Sequence, residues 1–398
     1  MHKSTHSTQE HATTLLAQMV LCALAVVSLL YIPVPILSLL ADTYQLPPEQ
    51  AGLALGAFGL SYATGFLVFG PLSDRIGRKV VMAGGLALLA GITLGLAWVK
   101  TPGLFIAGRA LQGFAAASFP PVALAYLSES GSTSQRLWGV AWMSTAFLSA
   151  GLLGQIYGSV VAGRWGFGWA LIPLVAIYGI TALRLLSAPE ANRDTRPKTS
   201  MWEGYRPLFS LLSDPALRRV YVPAFLLLMS FVAFYIGLDS HLGDVIEQHG
   251  VSRIQARGIA LPAFLAPLLA AKMIGRWGAH RVASTGLSIA ALGLFLCAAA
   301  GREHITGLLA ASVVFVLGVA ISVPGLIARI AATAAPTVRG LAVSFYTFVL
   351  FVGASLGPWL SNYSKAWHVE SLFLVLAASL SAAAVYSAAR IGGNRRAG

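Results

Sequence analysis

The stretch LAQMVLCALAVVSLLYIPVPILSLL, residues 16–40, carries no charged side chain. FIAGRALQGFAAASFPPVALAYL, residues 105–127, carries one, Arg109. A bilayer core about 30 Å thick is crossed by roughly 20 apolar residues in a helix, and both stretches are longer than that. In hydrocarbon the backbone must satisfy its own N–H and C=O groups, so helices are the reading for spans this long and apolar. The rest of the chain agrees: 57% of 398 residues are hydrophobic and 10% charged, against about 25% charged in soluble domains. The fold class expected is an all-α membrane protein.

Dividing the chain at charges, Pro/Gly and polar clusters predicts twelve spans, near 16–41, 51–72, 80–99, 102–127, 137–161, 166–188, 219–242, 254–275, 281–300, 304–329, 339–362 and 367–390. The first is too long for a signal-peptide core and no small-residue cleavage site comes after it, so it is expected to stay in the mature chain. Residues 1–13 read as a frayed polar tail and 392–398 as a second tail. The polar stretch 189–218 separates six spans (14–188) from six (219–391). Trp202, Tyr205, Leu208 and Phe209 suggest an amphipathic segment there, lying on the inner leaflet. Cys22 and Cys297 each fall within a span, so neither a disulfide nor a metal site is indicated.

Basic residues give an orientation. With the N-terminus in the cytoplasm, 20 of the 27 Lys and Arg fall inside and six outside, with Arg109 left within a span. This asymmetry predicts both termini in the cytoplasm. It also explains the net charge of +13 as scattered loop residues facing anionic lipid, which argues against a nucleic-acid partner.

The chain repeats itself at half its length. SDRIGRKVV has a counterpart in MIGRWGAHRV, with Arg75 on Arg276 and Gly77 on Gly278. QRLWGVAWMSTAFLSAGLLGQ (135–155) aligns with VRGLAVSFYTFVLFVGASLGP (338–358), with Arg136 on Arg339 and Gly154 on Gly357. Two copied six-helix halves with a pathway between them are the architecture of an alternating-access transporter. Gly52/Gly56, Gly91/Gly95, Gly154/Gly158 and Gly353/Gly357 stand at small-xxx-small spacing, which permits close helix packing.

GPLSDRIGRK, residues 70–79, resembles the loop 2–3 signature of the major facilitator superfamily at every defined position. RALQGFAAA (109–117) resembles that family's fourth-helix motif, and YIPVPILSLLADTYQLPPEQAGLALGAFGLSYATG is similar to its bacterial drug- and sugar-efflux members, which exchange substrate for protons. The resemblance spans essentially the whole chain. It implies a transporter in the bacterial inner membrane, acting as a monomer on a small-molecule substrate, with protons as partner and no cofactor. One departure concerns coupling: the fifth-helix antiporter motif has Gly-Pro, whereas this chain has Gly154-Gln155, and Gly-Pro stands instead at Gly357-Pro358.

Gly70, Asp74, Arg75, Gly77, Arg78 and Lys79 form a candidate conformational latch, with Glu129 as a partner for Arg78. The basic residues alone could serve only topology; Asp74 cannot, because acids contribute little to orientation. The resemblance implies that Asp74 faces the N-terminal end of the helix beginning near Arg339, where a helix dipole stabilises negative charge. Arg109 is costly in a membrane, roughly 2.5–3.5 kcal/mol at the centre of a span. Pro33 and Pro35 lack N–H groups, which leaves carbonyls of Leu29 and Tyr31 without helical donors, so Arg109 is expected to dock there, with outward snorkelling as the alternative. Gln112, Gly113 and Gln155 accompany it as pathway candidates. For proton coupling the candidates are Asp239, with His241 two residues on, and Asp42; either could instead be a solvated helix end. Tyr31, Tyr62, Phe119, Tyr157, Phe234, Tyr235 and Tyr346 are candidates to line an apolar substrate cavity, although packing against neighbours or lipid would account for most. No ATP-binding loop, His-Glu-x-x-His or nucleophile elbow occurs, so no enzyme class is indicated. A proton-coupled exporter, an importer or facilitator, and a transporter-derived sensor remain as readings, and the sensor would need a partner-binding domain that a 30-residue linker does not supply.

Overall fold

The computed structural model describes residues 2–46, 48–187 and 206–389. Among them every regular element is helical, and twelve helices are long and apolar enough to cross a membrane. They are α1 (Thr13–Ile36), α2 (Leu55–Ile76), α3 (Arg78–Leu96), α4 (Pro102–Glu129), α5 (Thr133–Trp165), α6 (Phe167–Ser187), α7 (Pro215–Gln248), α8 (Arg253–Trp277), α9 (Ala279–Ala300), α10 (Ile305–Thr333), α11 (Pro336–Gly357) and α12 (Val369–Ala388).

Expected and observed spans agree in number and place, and two of the larger differences have local causes. The first span ends at Ile36 rather than 41 because Pro33 and Pro35 break it: a turn at 32–33 leads into a 3₁₀ turn, Val34–Ile36, and a separate helix, Leu37–Thr43. The seventh runs longer than 219–242 at both ends. Asp214 caps it by accepting from Ala216 N–H at 2.7 Å, Pro215 supplies the pre-set first residue, and the helix stops only before Gly250 at φ +77°. The stretch expected as a frayed tail is helical from His2. Most of the expected amphipathic linker, with Trp202 and Tyr205, lies outside the described residues, as does the tail 392–398. Beyond the linker a helix, Arg206–Ser213, leads into α7, with Leu211 buried and Phe209 exposed.

The chain forms two compact units. The first comprises Met1–Tyr205 and Ala335–Phe348, the second Arg206–Ala334 and Val349–Gly398. The beginning of α11, which the sequence repeat places in the second half, therefore packs as part of the first unit. Gly70 is one reason: a Cβ there would overlap the Ser344 side chain, so glycine lets α2 and α11 approach.

The glycine pairs divide by use. A Cβ at Gly154 or Gly158 would meet the α1 backbone at Ser28 and Ile32, and one at Gly353 or Gly357 would meet α7 at Phe225 and Val232. The pairs that the repeat superposes thus pack a fifth helix against a first and an eleventh against a seventh. Gly56, Gly91 and Gly95 face open space.

Candidate functional site

At the α2–α3 turn the charged decapeptide folds onto itself. Gly77 sits at φ +107°, a conformation open to glycine, and lets α3 start one residue after α2 ends. Arg78 is thereby turned back toward α2. Its Nη1 pairs with Asp74 Oδ1 at 2.8 Å and donates to Ser73 Oγ at 3.0 Å. Its Nε and Nη2 donate to Glu129 Oε2 and Oε1 at 2.8 and 2.9 Å, a two-pronged contact with the end of α4. Asp74 Oδ2 accepts from Leu341 N–H at 3.1 Å, in the first turn of the helical run Arg339–Tyr363. Arg339 Nη1 stands 3.8 Å from Glu129 Oε1. Two carboxylates and two guanidiniums balance, and the Asp74 and Arg78 side chains are each only 10% exposed. Arg75 is exposed and outside this cluster, and Lys79 is half-buried beside it.

A second arginine is treated differently. Arg109 has no exposed surface. Its Nη2 donates to the Leu29 carbonyl at 3.0 Å, the acceptor that Pro33 leaves without a helical donor. Nη1 donates to Gln112 Oε1 at 2.5 Å, and Gln112 Nε2 donates onward to Thr93 Oγ1 at 2.9 Å. The guanidinium lies over Phe58, 4.4 Å from the ring centroid. Gly113 makes this possible, since a Cβ there would overlap the Phe58 backbone. Gln155, expected at similar depth, donates Nε2 to the Gly151 carbonyl of its own helix at 2.8 Å.

In the second unit Asp239 Oδ2 pairs with Arg257 Nη2 at 3.1 Å, both side chains partly exposed. Arg253 reaches across α7 at Gly243 and donates Nη1 to the Asp239 carbonyl at 3.4 Å, while its other nitrogens hold Asp244 and Glu247 at 2.7 and 3.0 Å. Asp42, the other coupling candidate, is exposed just before the turn at Gln45.

The aromatic candidates separate by burial. Tyr62 packs between Phe58 and Phe66, Phe119 fills the break in α4, and Phe234 packs on Phe315 and Phe373; none of the three has exposed surface, and packing accounts for them. Tyr157 is held by donating its hydroxyl to the Ala170 carbonyl at 2.8 Å. Tyr346 is buried, whereas Tyr31 and Tyr235 keep partly exposed rings. Partners that the sequence did not suggest are Ser73, Thr93, Phe58, Arg253 and Arg257.

The family model described as Major Facilitator Superfamily matches residues 19–266, well over half of the chain. The chain belongs to the major facilitator superfamily. Members of this family are transporters rather than enzymes. Among curated superfamily relatives, the inner membrane transport protein YnfM of Escherichia coli is 33% identical over 231 residues, covering 54% of this chain and 52% of that protein. The MFS-type transporter YybF of Bacillus subtilis is 27% identical over 219 residues, 52% of each chain. The chain thus spans about half the length of these relatives. Two solved structures share the fold at a TM-score of 0.73: the human organic anion transporter MFSD10, at 18% identity over 95% of this chain and 99% of that one, and the proton:xylose symporter XylE, at 15% identity over 95% of both.

Proposed function

We propose that the chain is a secondary transporter that moves a small organic molecule across a bacterial inner membrane by alternating access, exporting it in exchange for protons, as a monomer with both termini in the cytoplasm. The observation that carries the alternating-access reading is Asp74 on the first turn of α11. A buried carboxylate held by one backbone N–H and one guanidinium is a contact that is either made or lost, which is what a two-state cycle requires. Asp74, Arg78 and Glu129 are its working residues, with Gly70 and Gly77 shaping the approach. Arg109, Gln112 and Gly113 keep the broken part of α1 in shape.

Asp239 is the coupling group in this reading, supported by its partial exposure and its side-chain pairing with the Arg257 guanidinium. The export direction rests on the resemblance of the first and second spans to efflux members. A proton symporter working as importer is the second reading, and the ion pair favours it specifically: a proton on Asp239 releases Arg257, so proton and substrate would occupy the site together rather than in turn.

Proteoliposomes test both. With protein inserted so that the 189–218 loop faces one known side, an inward proton gradient should drive substrate from that side to the other, and Asp239→Asn should abolish the dependence while downhill exchange persists. Uptake that rises with external acidity selects the symporter. Fast exchange without pH dependence at either face removes proton coupling and leaves a facilitator.

A further inference from the structure

Phe231, Tyr235 and Asp239 recur at four-residue spacing on α7 and so share one face of it. The two rings are 5.1 Å apart and both are partly exposed. Opposite them α8 is not continuous. Its first helix, Arg253–Gly258, ends directly after Arg257, a 3₁₀ stretch Leu261–Leu265 comes next, and helix resumes at Ala266. Phe264, in the broken stretch, lies 6.4 Å from Phe231 between ring centroids. Interrupted spanning helices line binding sites in transporters, because irregular backbone at membrane depth needs a polar or wet neighbour.

Two polar groups on these facing elements stand out. The Tyr235 hydroxyl is buried and has no hydrogen-bond partner among the described residues, although an orphaned buried hydroxyl is costly. Asp239, which holds Arg257, lies one helical turn further along α7. Arg257 in turn pairs with the Asp239 carboxylate, 3.1 Å between Nη2 and Oδ2. Neighbouring Arg253 is tied to two carboxylates, Asp244 and Glu247, and Gly243 provides the room for it, since a Cβ there would lie 2.7 Å from the Arg253 Cζ.

We propose that Arg257 and Tyr235 anchor an organic carboxylate with an apolar body, and that Asp239 is the internal carboxylate that occupies Arg257 while the site is empty. The proposal rests on the transporter reading and names the substrate class. An incoming carboxylate takes the guanidinium fork and the Tyr235 O–H, which then has the acceptor it lacks; Phe231, Phe264 and the Tyr235 ring cover the apolar body. Asp239, displaced from Arg257, turns to water, to which its side chain is already partly exposed. No covalent bond forms or breaks.

The test is binding of sodium benzoate to the purified full chain in detergent, read as the shift of the thermal unfolding midpoint, with benzamide, benzylamine and sodium chloride at matched concentration as controls. Benzoate alone should stabilise the wild type. Arg257→Gln should weaken benzoate binding by at least about tenfold and Tyr235→Phe by roughly three- to tenfold, while Arg257→Lys keeps the charge and part of the binding. Asp239→Asn is the decisive variant: it should bind benzoate about fivefold more tightly, since it removes the internal competitor. A site in which Asp239 merely supports Arg257 would bind more weakly in that variant, and that result overturns the proposal. So does binding retained in Arg257→Gln, or a benzoate shift absent from both wild type and Asp239→Asn. Binding is read without transport: a chain that binds in this pattern but moves no solute refutes the transporter reading and leaves the site standing, whereas transport without the pattern removes the site alone.

Discussion

Replacing Asp74 by asparagine keeps the side chain's shape and changes its charge, which isolates what holds the start of α11. Asn retains an oxygen for the Leu341 N–H, now 3.1 Å from Asp74 Oδ2, but a neutral acceptor gives about half the strength of a charged one. It also loses the attraction to the helix N-terminus, worth about 0.3–1 kcal/mol at a surface and up to about 2 kcal/mol when partly buried. Arg78 is not orphaned, because Glu129 still holds it through two nitrogens, so the loss of about 3–5 kcal/mol seen on breaking an isolated buried pair does not apply. A neutral amide is also easier to bury than a carboxylate, which offsets part of the loss. The net is a hold weaker by about 1–2 kcal/mol, or a population of the released state raised roughly 5–30-fold. Val343 gives the readout, since it lies on this part of α11 and has no exposed surface. In a chain whose two native cysteines, both buried, are replaced by alanine, Val343→Cys should react with a water-soluble maleimide at a rate proportional to the released fraction. Labelling should be slowest with Asp74, roughly tenfold faster with Asp74→Asn, and faster again with Asp74→Ala, which removes the acceptor as well. Equal rates in all three, with membrane insertion intact, would refute the argument and reduce the decapeptide to a topology signal.

Two further outcomes test the arrangement at lower resolution. A reporter active only in the cytoplasm should give signal when fused after residue 205 and none after residue 247, and the reverse pattern would invert the proposed orientation. Gly113→Ala should lower the thermal unfolding midpoint by the equivalent of about 1–3 kcal/mol, since Phe58 backbone must shift to admit the methyl group; Gly91→Ala, which faces open space, should leave it unchanged or slightly raised, and similar losses at both would mean that the glycine spacing, not the close approach, is what matters.

How far the site was legible depended on whether a residue's cost could be seen along the chain. Arg109 stands alone in an apolar stretch and Pro33 frees a carbonyl at matching depth, so donor and acceptor could be matched across 80 positions. The Arg78–Glu129 contact was suggested by both residues lying at the same membrane surface. Arg257 offered no such signal: it lies at a span's end among other charges, where solvation accounts for any side chain, and it is the turn at Gly250 that folds its short helix back toward Asp239. The aromatic candidates are ambiguous in another way. A ring on an apolar helix has the same sequence signature whether it lines a cavity or fills the core, and in this structure neighbouring residues cover Tyr62, Phe119 and Phe234 fully.

The two buried arginines of the first unit solve the same physical problem with opposite means, and the difference bears on what each can do. Arg78 is surrounded by carboxylates, so its charge is matched within the fold and its contacts are strong, directional and separable; charge pairs of this kind favour one conformation and can be lost together. Arg109 is held by a carbonyl, an amide and a ring face, none of which carries a negative charge, and its Nε has no hydrogen-bond partner among the described residues. Neutral acceptors stabilise a guanidinium without fixing a counter-charge, so moving any one of them leaves the others in place. Such a group suits a standing brace across α1, α3 and α4, where Leu29, Thr93 and Gln112 are drawn to one point, while the α2–α3 cluster suits a contact that opens.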